Sequence, residues 1–438
     1  MKRIVTNEWT ARRRFRAIFE HDAAGLDRLP MLSLGTPVQG LFYQEWARTV
    51  GAEDLSDEYV RLTRLGDKTM NKWINSEWHN VSVTWPAGYP SVPLPRDHPE
   101  WARFDPETAR QVKLTIGWNG SIHASGKTMH GEPYGWYVNG YFTRQKVDGR
   151  TLEPWEVRDE FYAEHGEPWD DQFAPGPAAQ KAFKDALAWY EQNHDKFGED
   201  GFADFALMCS AGGLFEATWE GMGSGTPAMA IMARKYPGKL RSWLRDVANL
   251  VMMNVKLQFE LAEEVGAQID FVWLWDDTGQ KGRTLVSPKH HREFWVPLYK
   301  EVCRYVHARG GFVIIHSCGF GESLIPNWVE AGIDAWQTVE RAALNEPSRV
   351  REEHGGDIVL VGAVDASNVV SFAKNTREVE EHVRETIRDA VFTPEDPCYV
   401  PGFTHDLLDC PVANVRAAVD AMLHWGAMDR VRALKGRE

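Results

Sequence analysis

The stretch "SPKHHREFWVPLYKEVCRYVHARGGFVIIHSCG", Ser287 to Gly319, holds one complete helix-to-strand step and decides the fold. Ser287 is placed to cap a helix N-terminus and Pro288 fits the first helical position, where no amide donor is needed. Apolar residues recur at helical spacing through Val306, and Gly310 and Gly311 end the run. "FVII" then reads as a strand buried on both faces, since a half-exposed strand would alternate apolar with polar residues. That strand runs directly into His316, Ser317 and Cys318.

The same step repeats on either side. Upstream, "YPGKLRSWLRDVANLVMMNVKLQFELAEEVG" predicts a long amphipathic helix and "QIDFVWLW" a buried strand bounded by Asp276 and Asp277. Downstream come the strands "AWQTVE", "IVLVGAVD" and "CYVPG", alternating with the helices "LIPNWVEAG", "EPSRVREEHGG", "TREVEEHVRETIRDAV" and "VANVRAAVDAMLHWG". Strands alternating with helices over short connections imply an α/β fold with a parallel sheet and right-handed crossovers. The repeat predicts a closed (β/α)8 TIM barrel, with "RLPMLSLG" near the start as a first strand and the chemistry at the carboxyl ends of the strands.

The first half is less regular. Residues from about 73 to 200 are rich in Trp, Pro, Gly and His with period-2 fragments, and predict a large Trp-rich insertion over the barrel mouth within one domain spanning residues 1–438. Of 19 tryptophans in the chain, Trp73, Trp78, Trp85, Trp101, Trp118, Trp136, Trp155 and Trp169 fall in this region. Such rings either fill a wide core or wall an apolar, aromatic or cationic ligand.

Composition narrows the function. The 438 residues are 43% hydrophobic and 26% charged, ample for a large core. A net charge of -14, without a Lys/Arg cluster of the kind that makes a phosphate-binding stripe, argues against nucleic acid as partner. No apolar run approaches the roughly 18 residues of a membrane span, and the basic start "MKRIVTNEWTARRRFRAIFE" lacks the apolar core of a signal peptide, so a cytoplasmic protein is expected. Five widely spaced cysteines suggest free thiols or metal ligands rather than disulfides.

Polar residues collect at the predicted strand ends: Asp276 and Asp277, His316 and Cys318, Glu340, Asp365, then His405 and Asp406. Each would be costly to bury alone, so their convergence on one rim is the informative feature. His316 and Cys318 lie two apart on an extended chain and point to one face, as two ligands of a borderline cation such as zinc would. A packed cysteine beside a hydrogen-bonded histidine is the structural alternative. His405, or else Cys410, would supply a third ligand and leave one position open. Asp277, Asp276 and Glu340 are candidate acid or base groups, at most one of the adjacent aspartates facing the mouth. Trp275, Phe403 and Asp365 are candidates for substrate contact. The absence of a serine elbow, phosphate loop, dinucleotide fingerprint or HExxH helix removes several enzyme classes.

Together "LDRLPML", "WLWDDTGQKGRTLVSPKHHREFWVPLYKEV", "VIIHSCG", "VGAVDASNVV" and "VPGFTHDLLDCPVANVRAAVDAM" resemble the uroporphyrinogen decarboxylase superfamily, over roughly residues 10–50 and 205–430. That superfamily also contains the cobalamin-dependent methyltransferases, and its fold is an eight-stranded barrel. Authentic decarboxylases carry an arginine-rich motif after the first strand, to hold a polycarboxylate. Here that segment reads "LGTPVQGL", without arginine, so the resemblance favours the methyltransferase branch. In that branch a H-x-C pair binds zinc, which implies such a role for His316 and Cys318, and a further cysteine follows a Pro-Gly. Here Phe403 stands at that place, with His405 two residues on and Cys410 beyond. Histidine in place of thiolate leaves zinc more electrophilic, suited to polarising a substrate oxygen or nitrogen. The branch implies transfer of a methyl group from a small methoxy-aryl or methylamine compound to a corrinoid protein or thiol, with zinc, cobalamin on a partner protein, and a homodimer. The other reading is a metal-dependent lyase or hydrolase on the same barrel without cobalamin, with Asp277 as base.

Overall fold

The computed structural model describes residues 9–32, 78–80, 91–127, 133–167, 175–193, 205–223, 225–405, 407 and 410–436. Among these residues seven parallel strands form one sheet, ordered Trp78–Asn80, Ala206–Gly212, Phe271–Trp275, Phe312–His316, Ala335–Thr338, Val359–Val364 and Tyr399–Phe403. Chain order and spatial order coincide, so each crossover joins neighbouring strands, as in a closed (β/α)8 barrel. Beside the last strand lies the end of "RLPML", where the Leu32 amide donates to the Pro401 carbonyl at 3.0 Å and takes the place expected of the first strand. The fold is the (β/α)8 TIM barrel that the alternation predicts.

The strands are apolar because both of their faces are covered. Every residue of Val359–Val364 and Tyr399–Phe403 is buried, with one face in the barrel and the other under helices. The outer helices match the predicted segments closely: Pro237–Glu264, Ile325–Ala331, Pro347–His354, Thr376–Ala390 and Val412–Trp425. The Ser287 hydroxyl caps its helix, accepting from the His290 amide. The helix predicted as one run is two, Pro288–Phe294 and Val296–His307, broken at Trp295. Pro297, in the first turn of the second helix, has no amide to donate to the preceding turn and so separates the two segments, while Trp295 at the break is buried against Phe215.

Within the predicted insertion, Ser91–Pro93, Lys113–Gly117, Ser121–Lys127 and Pro133–Gly140 form an antiparallel sheet, followed by a short hairpin and the helices Pro154–His165 and Pro177–Asn193. This sheet is fastened to the helix Leu214–Gly221, which leaves the carboxyl end of the strand Ala206–Gly212. The Phe142 amide donates to the Gly221 carbonyl at 3.0 Å and the Tyr137 hydroxyl to the Glu220 carbonyl at 3.1 Å. Among the described residues no helix is long and apolar enough to cross a membrane.

Candidate metal centre at the barrel mouth

Parallel pairing aligns side chains of paired residues on one face, and a single row runs across the mouth: Trp275 pairs with His316, and His316 with Gln337. His316 Nδ1 and Gln337 Oε1 form a short hydrogen bond, while Gln337 Nε2 donates to the Thr404 carbonyl at 3.1 Å. That second bond fixes the amide so that its oxygen faces the ring. The Nδ1 of His316 is thereby the protonated nitrogen, and Nε2 presents its lone pair to the cluster. Burial holds the imidazole pKa below its ordinary value against the pull of Asp277, so the neutral, ligating form prevails.

Cys318 reaches the same face two residues on, and its Sγ lies 3.3 Å from His316 Nε2 and 3.3 Å from His405 Nε2. The intervening Ser317 turns the other way, its hydroxyl accepting from the Thr278 amide at 3.0 Å. Gly319, at φ 79°, lies so close to Gly279 that a Cβ would meet its backbone at 2.5 Å. Only glycine lets these two loops touch and hold Cys318 in place. Burial, then the charges of Asp277 and Glu340, push the thiol well above its ordinary range, so it keeps its proton until a cation or strong base takes that proton's place.

Two carboxylates flank the thiol. Asp277 Oδ1 accepts from the Cys318 amide at 2.7 Å and stands 3.6 Å from His316 Nε2. Glu340 accepts from the Gly319 amide at 2.5 Å and stands 3.4 Å from His405 Nε2. Just before Glu340, Val339 sits at φ 60°, a strained conformation for a β-branched residue, which turns the chain at the strand end. The donor atoms of Asp277, His316 and Cys318 lie within 4.8 Å of one another, as do those of Cys318, Glu340 and His405. Cys318 is the member common to both triads.

Sequence reasoning misses two further acids, Glu216 and Glu220, on the helix Leu214–Gly221. Glu216 accepts from the Asp277 amide at 3.2 Å. Burial and the neighbouring Asp277 push its carboxyl up to about 9; burial raises Glu220 to about 7, against a hydrogen bond from Asn119. Their signal was two acids four apart in the otherwise apolar "GLFEATWEG", directly after a strand. Gln337 was missed as well, because nothing local marks it.

The predicted residues therefore separate. His316, Cys318, His405, Asp277 and Glu340 come together, with Trp275 beside them, its ring 4.7 Å from that of His316 and 39% exposed. Asp276 turns into the wall, where it accepts from the amides of Leu214, Phe215 and Glu216 at 3.0, 2.9 and 2.7 Å and from the Tyr299 hydroxyl. It caps the neighbouring helix from across the sheet; burial raises its pKa to about 6. At Gly213 a Cβ would strike that carboxylate at 2.3 Å. Asp365 caps the turn Ala366–Val370, accepting from the Asn368 amide, and Phe403 is fully buried in the barrel. Cys410 is buried 3.2 Å from the Ser371 hydroxyl, apart from both triads. Asp406, Trp73, Trp85 and Trp169 lie outside the described residues, as does the side chain of Trp78. Trp118 donates to the Gly166 carbonyl at 2.8 Å, Trp101 stacks on Arg96, Trp136 meets Phe104 and Trp155 meets Tyr236. The first three rings pack among residues 91–167, and Trp155 packs against the start of the helix Pro237–Glu264.

The family model for uroporphyrinogen decarboxylase (URO-D) matches residues 206–425, which contain every strand of the barrel from Ala206 onward and the whole cluster. No curated protein shows a significant sequence match. Among solved structures, a methyltransferase from Methanosarcina mazei is similar over 95% of this chain and 99% of its own, at 14% identity and a TM-score of 0.58, which shows a shared fold. A B12-independent methionine synthase from Shewanella sp. W3-18-1 aligns over 57% of this chain and 67% of its own, at 13% identity and a TM-score of 0.37.

Proposed function

Because the chain belongs to the uroporphyrinogen decarboxylase family, we propose that it is a methyltransferase of that family. In this reading it moves a methyl group from a small methylamine-type donor to a strong nucleophile, a corrinoid carried by a partner protein or a thiol. One observation carries it: a thiol between two imidazole nitrogens at 3.3 Å, ringed by carboxylates at the carboxyl end of the barrel.

The donor set fits zinc. Donor atoms around a tetrahedral zinc stand roughly 3.4–3.7 Å apart, given bonds of about 2.0–2.3 Å, close to the spacings within the triad His316, Cys318 and Asp277. His316 and Cys318 would hold the ion with Asp277 as the third ligand and one position left for substrate, while His405 belongs with Glu340 to the other triad on Cys318. When bound, zinc would supply a Lewis acid to a donor whose methyl-bearing atom keeps a free lone pair; a quaternary ammonium has none and would be held by Trp275 and the carboxylates instead. The rest falls to the chain itself. Gln337 keeps His316 in the ligating tautomer, and Asp277 and Glu340 anchor the loops through the Cys318 and Gly319 amides.

The mouth also selects its substrate by charge. Glu216, Glu220, Asp277 and Glu340 lie together, and their recorded partners among the described residues are amides, Asn119 and histidines rather than Lys or Arg. Such a mouth repels a polycarboxylate, and a cation entering it would restore the suppressed ionisation of Glu216 and Glu220. Trp275 offers an exposed ring face to a methylated ammonium group. As the methyl leaves to the acceptor, the bonding pair stays on nitrogen, and Glu220 or Glu216 holds a proton for an amine that needs one.

The test is an assay with methylamines, quaternary ammonium compounds and methoxy-aryl compounds, with and without an acceptor, either a reduced corrinoid or a thiol. Demethylation that requires the acceptor and falls off for neutral donors supports the reading. Turnover of a carboxylate substrate without any corrinoid would sink it in favour of a metal-dependent lyase.

A further inference from the structure

Imidazole, thiol and carboxylate meet a second time at the opposite end of the barrel. His21 follows the first helix, Ala11–Phe19, and Asp396 and Cys398 lead into the last strand, Tyr399–Phe403. His21 Nδ1 is 3.2 and 3.0 Å from the two Asp396 oxygens and 3.5 Å from Cys398 Sγ, which itself stands 3.0 Å from Asp396 Oδ1. These donor atoms lie within 4.8 Å of one another.

Two features separate this cluster from a nucleophile with its base. A relay needs both ring nitrogens, one toward the thiol and the other toward the carboxylate. Here the single nitrogen Nδ1 faces both, so the three donors converge on a common point as ligands do. The backbone is also bent to bring them there. His21 lies at φ 54° and Cys398 at φ 47°, a region that costs a non-glycine residue on the order of 1 kcal/mol or more. The Cys398 carbonyl is held by the Leu360 amide at 2.9 Å and by the guanidinium of buried Arg351. The thiol is thus fixed in place. His21 is half exposed and Asp396 a third exposed, so the cluster is open to solvent on that side.

We propose that His21, Asp396 and Cys398 form a second metal site, taking one divalent cation of the zinc class, with a fourth position open to solvent on the His21 side. Imidazole, thiolate and carboxylate together suit a borderline ion. On binding, Cys398 gives its proton to solvent and its sulfur pair to the ion. The site joins the end of the first helix to the start of the last strand across 375 residues of chain, so its work is to close the barrel rather than to catalyse. It stands independently of the proposed reaction.

The experiment counts metal. The variant H316A/C318A, which removes ligands from the mouth, is stripped with chelator, reloaded with zinc chloride, desalted and analysed for zinc. One equivalent should remain, its removal should lower the melting temperature, and adding His21→Ala should take the count to zero with the circular dichroism unchanged. Should the mouth variant fold poorly, His21→Ala and Asp396→Asn in the otherwise native chain should each hold one equivalent less than the parent. Reloading the mouth variant with cobalt(II) should give a thiolate charge-transfer band in the near ultraviolet that Cys398→Ser abolishes. No zinc in the mouth variant, or an unchanged count after losing His21, overturns the proposal.

Discussion

The two ends of the barrel use the same three side-chain types and arrange them differently. At the carboxyl end the histidine is oriented from behind: Gln337 occupies Nδ1 of His316 and leaves Nε2 to the cluster. At the amino end, among the described residues, nothing comparable stands behind His21, whose Nδ1 serves the carboxylate and the thiol together. Carboxylates in excess crowd the mouth, whereas one aspartate answers the thiol below. A group held from outside its cluster can keep its place while ligands are exchanged; donors that hold only one another suit a site that stays shut.

That contrast can be broken at several points. The largest effect is expected for His316→Ala, which should lose activity by well over the roughly 100-fold typical of an outer partner and lose zinc at the mouth. Loss of activity with full zinc occupancy would show that the ring does something other than hold metal. Gln337→Leu keeps the ligand and removes its orientation, so about 10–100-fold in zinc affinity or activity should go. If zinc affinity, read by competition with a chelating dye, does not move, the tautomer argument fails. Trp275→Ala should raise the KM for a cationic donor by about 2- to 30-fold, the worth of a cation–π contact of roughly 0.5–2 kcal/mol, and leave that for a neutral donor nearly unchanged. Equal shifts for both would remove the charge-selection argument.

Smaller effects fall on stability. Asp276→Ala leaves buried donors without an acceptor and should cost about 1–3 kcal/mol, seen in denaturant unfolding. Glu216→Gln tests the acidic mouth by pH. A carboxyl raised to about 9 holds its proton in the folded state and releases it in the unfolded state above about 4.5, so the native chain loses stability as pH rises between those values. The variant should therefore gain in melting temperature relative to the parent at pH 8 and converge with it toward pH 4.5. A gap that does not depend on pH would mean that Glu216 is ionised throughout.

The legibility of the chain follows its packing. Val359–Val364 and Phe312–His316 are buried on both faces, so their apolar runs, with Ser287, Pro288 and the glycines between, could be read directly. Between residues 91 and 193 the strands are short and antiparallel, pairing with chain neighbours but fastened to the barrel by distant contacts such as Phe142 with Gly221, and the tryptophans there read first as core filling and second as a ligand wall. In the site, His316 and Cys318 drew attention by period-2 spacing together with their place at a strand end and the family resemblance, and Glu340 and Asp277 by polarity at strand ends. That Asp276 caps the helix Leu214–Gly221 while Asp277 meets Cys318 depends on which face each presents, and alternation could say only that they differ.

By itself, then, the sequence determined the alternation of strand and helix, the end of the barrel where polar groups gather, and the likeness to the uroporphyrinogen decarboxylase family. Those are properties of local periodicity and residue type, which survive without knowledge of neighbours. Only the tertiary structure decided that Gln337 stands behind His316, that Glu216 and Glu220 join the mouth, that Cys410 stays apart, and that His21 meets Cys398. Each of these depends on strand register or on contacts between residues far apart in the chain, and hydrogen-bonding donors find their acceptors only once the barrel has closed.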